Sequence, residues 1–207
     1  MDWQLDAPET RVLGALMEKE ITTPDYYPLS TNALVNACNQ KSNREPVVSY
    51  DDDTVEEALQ SLRDKGLAMR VTGDGRVAKH EQRFTEKFNL GRREAAILCV
   101  LMLRGPQTVG ELRGRTERLY TFDDLEGVEA TLSRLAEMEY VKKLPRRAGF
   151  KEQRWAHLLA GDVEEVGETP SAAAGERGSS DRDRIAKLES DLAALKQEFD
   201  DFRRRFE

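Results

Sequence analysis

Apolar residues recur at helical spacing along most of the first 140 positions. Val55, Ala58, Leu59 and Leu62 stand at i, i+3, i+4 and i+7, one face of an amphipathic helix. The pattern returns 73 residues later, with Val55, Glu56, Leu59 and Leu62 falling on Val128, Glu129, Leu132 and Leu135. Upstream, the stripe Val12, Leu13, Leu16, Met17 has a counterpart in Ile97, Leu98, Leu101, Met102. Asp6 reads as an N-cap with Glu9 three residues on, and Thr108-Val-Gly-Glu111 is a capping box. Ser30 is a second-helix N-cap, flanked by Leu29 and Leu34 as a hydrophobic staple. Gly66 and Gly105-Pro106 supply helix stops.

After each third helix the period changes to that of short strands. Leu67–Val71 and Arg76–His80 flank Thr72-Gly-Asp-Gly75, a turn signal, and Tyr140–Leu144 faces Gln153–His157 across a longer basic loop. The order helix, helix, helix, hairpin is that of a winged helix, a helix-turn-helix with a hairpin appended. The expected fold is therefore mostly α with small β-hairpins. It comprises two tandem winged-helix domains, residues 6–84 and 85–159, then a disordered linker at 160–180 and a C-terminal helical tail at 181–207. Two separate cores are expected. Leu59 and Leu62 would pack with Val12, Leu13, Leu16 and Leu34, and Leu132 and Leu135 with Ile97, Leu98, Leu101 and Leu112.

The tail carries its own period. Ile185, Leu188, Leu192, Leu195, Phe199, Phe202 and Phe206 alternate at spacings of three and four, an a/d heptad. In a parallel homodimer through residues 182–206, Arg184 would face Glu189 of the second copy, Asp191 Lys196 and Glu198 Arg203, all opposite in sign. Three phenylalanines suit a tight two-stranded seam poorly, so docking on a winged domain and a lone fraying helix stay open.

The stretch Tyr27-Pro-Leu-Ser-Thr-Asn-Ala-Leu-Val-Asn-Ala-Cys-Asn-Gln-Lys-Ser-Asn-Arg-Glu-Pro-Val47 resembles the signature of the YceH-like bacterial proteins. Residues 89–159 resemble their second half. The resemblance implies a tandem winged-helix fold. It implies no established activity, and it carries no catalytic or ligand residues onto this chain.

Charge changes the functional picture more than composition does. Charged residues make up 34% of the chain and hydrophobic ones 39%, enough for a modest core under a heavily charged surface. The formal net charge of −7 divides into −5 for residues 1–83, +3 for 84–160 and −5 for 161–207. Only the middle segment leans toward nucleic acid. Its second hairpin gathers Lys142, Lys143, Arg146, Arg147, Lys151 and Arg154 around one acid, Glu152, with Phe150 and Trp155 between them. If double-stranded DNA is a partner, this wing, with Arg92, Arg93, Arg113, Arg115 and Arg118, is the expected contact. The bland alternative is a solvated loop whose aromatics pack on the domain. A second candidate surface is the polar run Asn36, Asn39, Gln40, Lys41, Ser42, Asn43, Arg44, for which local capping of a long turn is the stronger reading.

Both third helices begin with acids, Asp51, Asp52, Asp53, Glu56 and Glu57 in one and Asp123, Asp124, Glu126 and Glu129 in the other. Acids there favour the helix dipole and repel phosphates. That favours a rival reading in which the chain is an acidic protein-interaction scaffold. Cys38 and Cys99 sit in apolar helical patterns and read as buried small hydrophobes. His80 and His157 follow strand-like runs without a partnered Cys, Asp or Ser motif, and no phosphate loop, nucleophile elbow or metal spacing occurs. A non-enzymatic protein without cofactor is expected. The sequence has no apolar run near the roughly 20 residues a membrane span needs, and MDWQLDAPETR has no signal-peptide pattern, so a cytoplasmic location is expected.

Overall fold

A computed structural model of the chain describes residues 4–71, 77–146 and 152–162. The described part is mostly helical, with short antiparallel strands. Helix α1 (Ala7–Thr22) starts at a complete capping box, in which Glu9 N donates to Asp6 Oδ1 at 2.7 Å and Asp6 N donates to Glu9 Oε2 at 2.8 Å. Strand β1 (Leu29–Ser30) runs into α2 (Thr31–Cys38), whose N-cap is the Ser30 hydroxyl. Helix α3 (Asp52–Asp64) begins at Asp51 and ends at Gly66, which holds φ +66°. Strands β2 (Ala68–Val71) and β3 (Lys79–Gln82) follow, then the short α4 (Phe84–Lys87).

The second set of elements is α5 (Arg92–Arg104), α6 (Val109–Arg115), α7 (Leu125–Glu137), β4 (Val141–Lys143) and β5 (Trp155–His157). Thr108 and Glu111 form the expected capping box at α6. Gly105 ends α5 at φ +68°, a conformation that glycine reaches without strain.

The strands differ from expectation in two ways. The return strand of the first hairpin lies at 79–82 rather than 76–80, because His80 and Gln82 are the residues that face inward. The hairpin also gains a third strand: β1 pairs antiparallel with β3, Leu29 opposite His80 and Ser30 opposite Lys79, giving the order β1-β3-β2. In the second hairpin Val141 lies opposite His157 and Lys143 opposite Trp155. Gln107, just ahead of α6, takes the place that β1 has in the first hairpin. Its N–H donates to the Trp155 carbonyl at 3.0 Å and Trp155 N–H returns the bond at 2.7 Å. The turn at 72–75 and the loop residues 147–151 lie outside the described residues, as do the expected linker beyond residue 162 and the heptad tail.

The expected two cores are one. Every apolar residue named above for them is buried, but they join a single cluster that runs from Leu5 to Leu159. The link is α1 against α5. All residues from Glu9 to Met17, and all from Glu94 to Leu103, are buried, so neither helix has a solvent face over its middle turns. Small residues allow the close approach. A Cβ added at Gly14 would lie 3.0 Å from Leu103 Cδ2 and 3.3 Å from Met102 Cβ, and Cys99 Sγ donates to the Gly14 carbonyl at 3.5 Å. Phe84, Phe88 and Tyr140 add a second link, with edge-to-face ring contacts at 5.1–6.3 Å. A set of three helices and a hairpin buries only one face of its first helix; packing first helix on fifth buries the other.

Candidate nucleic-acid interface

The polar run between α2 and α3 turns inward. Asn39 caps α2, and its side-chain amide bridges the turn: Nδ2 donates to the Tyr50 carbonyl at 2.7 Å, and Tyr50 N donates to Oδ1 at 2.8 Å. Arg44 is buried. Its guanidinium meets both oxygens of Glu18 at 2.6 and 3.2 Å and also donates to the carbonyls of Ala37 and Asn43. Burial alone would raise the Glu18 carboxyl, but Arg44 reverses the sign and holds it below the usual range. Arg11, also buried, donates to the carbonyls of Cys38 and Pro46 at 3.3 and 2.6 Å, anchoring the far end of the same loop. Arg44 is thus an interior residue and not part of a contact surface, because every side of its guanidinium is taken by the fold. Asn43, at φ +59°, accepts a hydrogen bond from Arg104, and Lys41 is exposed. The motif is chiefly a device for closing a long turn onto α1.

The second hairpin divides. Lys142 pairs with Asp162, and Arg154 donates to the Pro106 carbonyl at 3.1 Å and lies 3.7 Å from Glu111. Both are therefore partly neutralised. Lys143 is exposed and sits 5.8 Å above the Trp155 ring, and Arg146 is exposed. Arg147 and Lys151 lie outside the described residues.

A second group of cations surrounds the turn into α7. Arg113 donates to the carbonyls of Phe122 at 3.4 Å and Asp123 at 2.7 Å. Arg93 Nε donates to Tyr120 Oη at 2.8 Å, and the guanidinium stacks 5.4 Å over that ring. Arg92 and Arg118 are exposed nearby in sequence to these anchors, while Arg115 is drawn back onto Gln107 and Glu111. The acids of the third helices serve helix ends. Asp51 Oδ1 accepts from Thr54 N at 2.9 Å and Asp124 Oδ1 from Gly127 N at 2.8 Å. Two of the arginines named from the sequence, Arg93 and Arg113, are thus anchored beside the acidic start of α7.

His80 is buried and His157 is half-buried. His80 Nε2 lies 3.2 Å from Thr31 Oγ1. Burial pulls the His157 imidazole down to about 4, and its Nδ1 has no partner among the described residues. Folded His157 thus resists a proton that the unfolded chain accepts near pH 6.5, so stability falls as pH drops from 6.5 toward 4. Between pH 7.5 and pH 5 this one group should cost about 2 kcal/mol. The check is the difference in urea midpoint between parent and His157→Leu at the two pH values; an identical drop in both would exclude His157 as its source. Among the described residues no His, Cys, Asp and Glu cluster could hold a metal ion, and no helix is long and apolar enough to cross a membrane.

Comparison with known proteins places this arrangement in a group. Residues 5–150 match the family described as "Protein of unknown function, DUF480". A UPF0502 protein of Solibacter usitatus is 74% identical over 207 residues, covering all of both chains. A UPF0502 protein of Pelobacter propionicus is 50% identical, again over the whole of both. UPF0502 protein YceH of Salmonella arizonae is 44% identical over 97% of this chain and 96% of its own. The chain belongs to the DUF480, or UPF0502, family, of which YceH is a member.

Proposed function

We propose that the chain is a non-catalytic tandem winged-helix protein that associates with duplex DNA through the basic surface of its second half. The observation that carries the reading is the disposition of the cations in that half. Arg93 and Arg113 are anchored beside the start of α7, the helix that enters the major groove in this fold, and Lys143 and Arg146 are exposed on the hairpin that forms its wing. The winged-helix reading draws support from the order of elements and from the equivalent pairing of β1 with β3 and of Gln107 with Trp155. Phosphate contacts supply most non-specific affinity for DNA, so these cations set its strength and salt dependence.

Replacing Arg146, Arg147 and Lys151 together with alanine should weaken binding evenly across sequences. It should also flatten the salt dependence, the slope falling by roughly one for each phosphate no longer neutralised. Fluorescence anisotropy with labelled random-sequence duplexes measures both. Unchanged affinity would remove the wing from the interface.

A protein-scaffold role is the second reading, favoured by the exposed acids Asp52, Asp53, Glu56 and Glu57 on α3. The heptad of the tail suits either role, since pairing would present two copies of the second half. Light scattering at tens of micromolar should give a dimer for the full chain and a monomer for a 1–165 truncation. A monomeric full chain would exclude the tail as the pairing element.

A further inference from the structure

We infer that the cleft bounded by α1, the Asn43 turn, α5 and the end of α6 binds a small anion, a carboxylate or phosphate carried on a short apolar body. The cleft holds about 240 Å³, roughly eight water molecules' worth of space. That is smaller than the pockets that take drug-sized ligands and excludes a dinucleotide. Arg104, Arg115 and Arg118 line it, with Val100, Leu103 and Leu119 as the apolar wall.

The charge balance sets the sign of the ligand. Glu18 also lines the cleft, but both its oxygens are held by the buried Arg44. Glu117 is the one other acid lining it, and it is exposed. Arg115 is partly answered by Glu111 at 3.3 Å. Among the described residues neither Arg104 nor Arg118 has an ion pair, and Arg104 donates to the neutral amide of Asn43. Burial first, then the charges of Arg115 and Arg44, pull the Arg104 guanidinium below its usual range, and the acids Glu18 and Glu45 offset this only in part. An anion there would be met by charge-assisted hydrogen bonds and would relieve that repulsion, while its apolar body would cover Val100 and Leu103. Arg115 and Arg118 are shared with the cations expected to meet DNA and Arg104 is not; the titrations contain no DNA, so failure of either reading is distinguishable.

The test uses the full chain at constant ionic strength, with chloride exchanged for the probe. One arm titrates inorganic phosphate and the other butyrate, each followed by amide chemical shifts. The expected result is saturable shifts at Val100, Leu103 and Leu119 in at least one arm. Saturation by phosphate alone assigns a phosphate ligand, and by butyrate alone a carboxylate. Arg104→Gln and the exposed Arg118→Gln should each weaken binding by about tenfold, the scale of one charged hydrogen bond. If Arg104→Gln fails to fold, Arg118→Gln carries the test. Shifts that rise linearly in both arms, or saturable binding that Arg118→Gln leaves unchanged, would overturn the inference.

Discussion

Replacing Arg44 with alanine should destabilise the fold by roughly 3–5 kcal/mol, the cost of removing one partner from a buried ion pair. The side chain is fully buried and spans three structures: α1 through Glu18, the end of α2 through the Ala37 carbonyl, and its own turn through the Asn43 carbonyl. Without it, the Glu18 carboxylate keeps its burial and loses the charge that holds its pKa down. Glu18 should then take up a proton well above the usual carboxylate range, so the loss should be smaller at pH 5 than at pH 7.5. The double variant Glu18→Met, Arg44→Met should be less damaged than Arg44→Ala alone, because it leaves no unpaired charge. Urea midpoints at the two pH values measure all of this. A loss under about 1 kcal/mol for Arg44→Ala would mean that the turn is not held by this pair.

Leu62→Ala and Leu135→Ala should each cost roughly 2–5 kcal/mol, since each deletes fully buried methyl groups. Their more informative effect is on cooperativity. Leu62 lies on α3 and Leu135 on α7, with the same i, i+7 relation to Val55 and Val128. Were the two halves independent, each substitution would shift one of two unfolding transitions. The continuous core, joined where Gly14 meets Leu103, predicts one transition that moves in both variants. Far-UV circular dichroism and tryptophan fluorescence should therefore give coincident curves in the parent and in each variant. Two resolved transitions would show that the halves unfold separately.

Much of this architecture was legible because it rests on local rules. The capping boxes at Asp6 and Thr108 and the stops at Gly66 and Gly105 are short-range side-chain or backbone chemistry, and each is where spacing puts it. What escaped has physical reasons. Strand β1 and the Gln107 bridge are pairings of one or two residues, too short to carry a period. The third helix of the second set ends on Glu139 at φ +60°, 73 positions after Gly66, without the glycine that would announce it. The merging of the cores was hidden because the stripes on α1 and α5 each point toward their own set. Gly14 and Cys99 are small enough to pass for neutral positions, and they meet where the two helices pack.

At the candidate site the sequence located the cations but not their engagement. Lys142 and Arg154 look as available as Lys143 until Asp162 and Glu111 are found beside them, contacts that depend on tertiary structure. Arg44, a candidate contact within a polar run read mainly as turn-capping, is taken inside by a carboxylate 26 residues earlier. Arg113 is held ahead of α7 by the main-chain carbonyls of Phe122 and Asp123, a tertiary contact that spacing does not announce.

The most direct test of the account is the affinity of the full chain for a random-sequence duplex as a function of salt. Contact through exposed cations on the hairpin and around the turn into α7 predicts measurable binding at low salt. It also predicts a log–log slope of about −3 to −5, corresponding to roughly three to five neutralised phosphates. No binding at low salt, or a slope near zero, would contradict DNA association and leave the acidic scaffold as the better description.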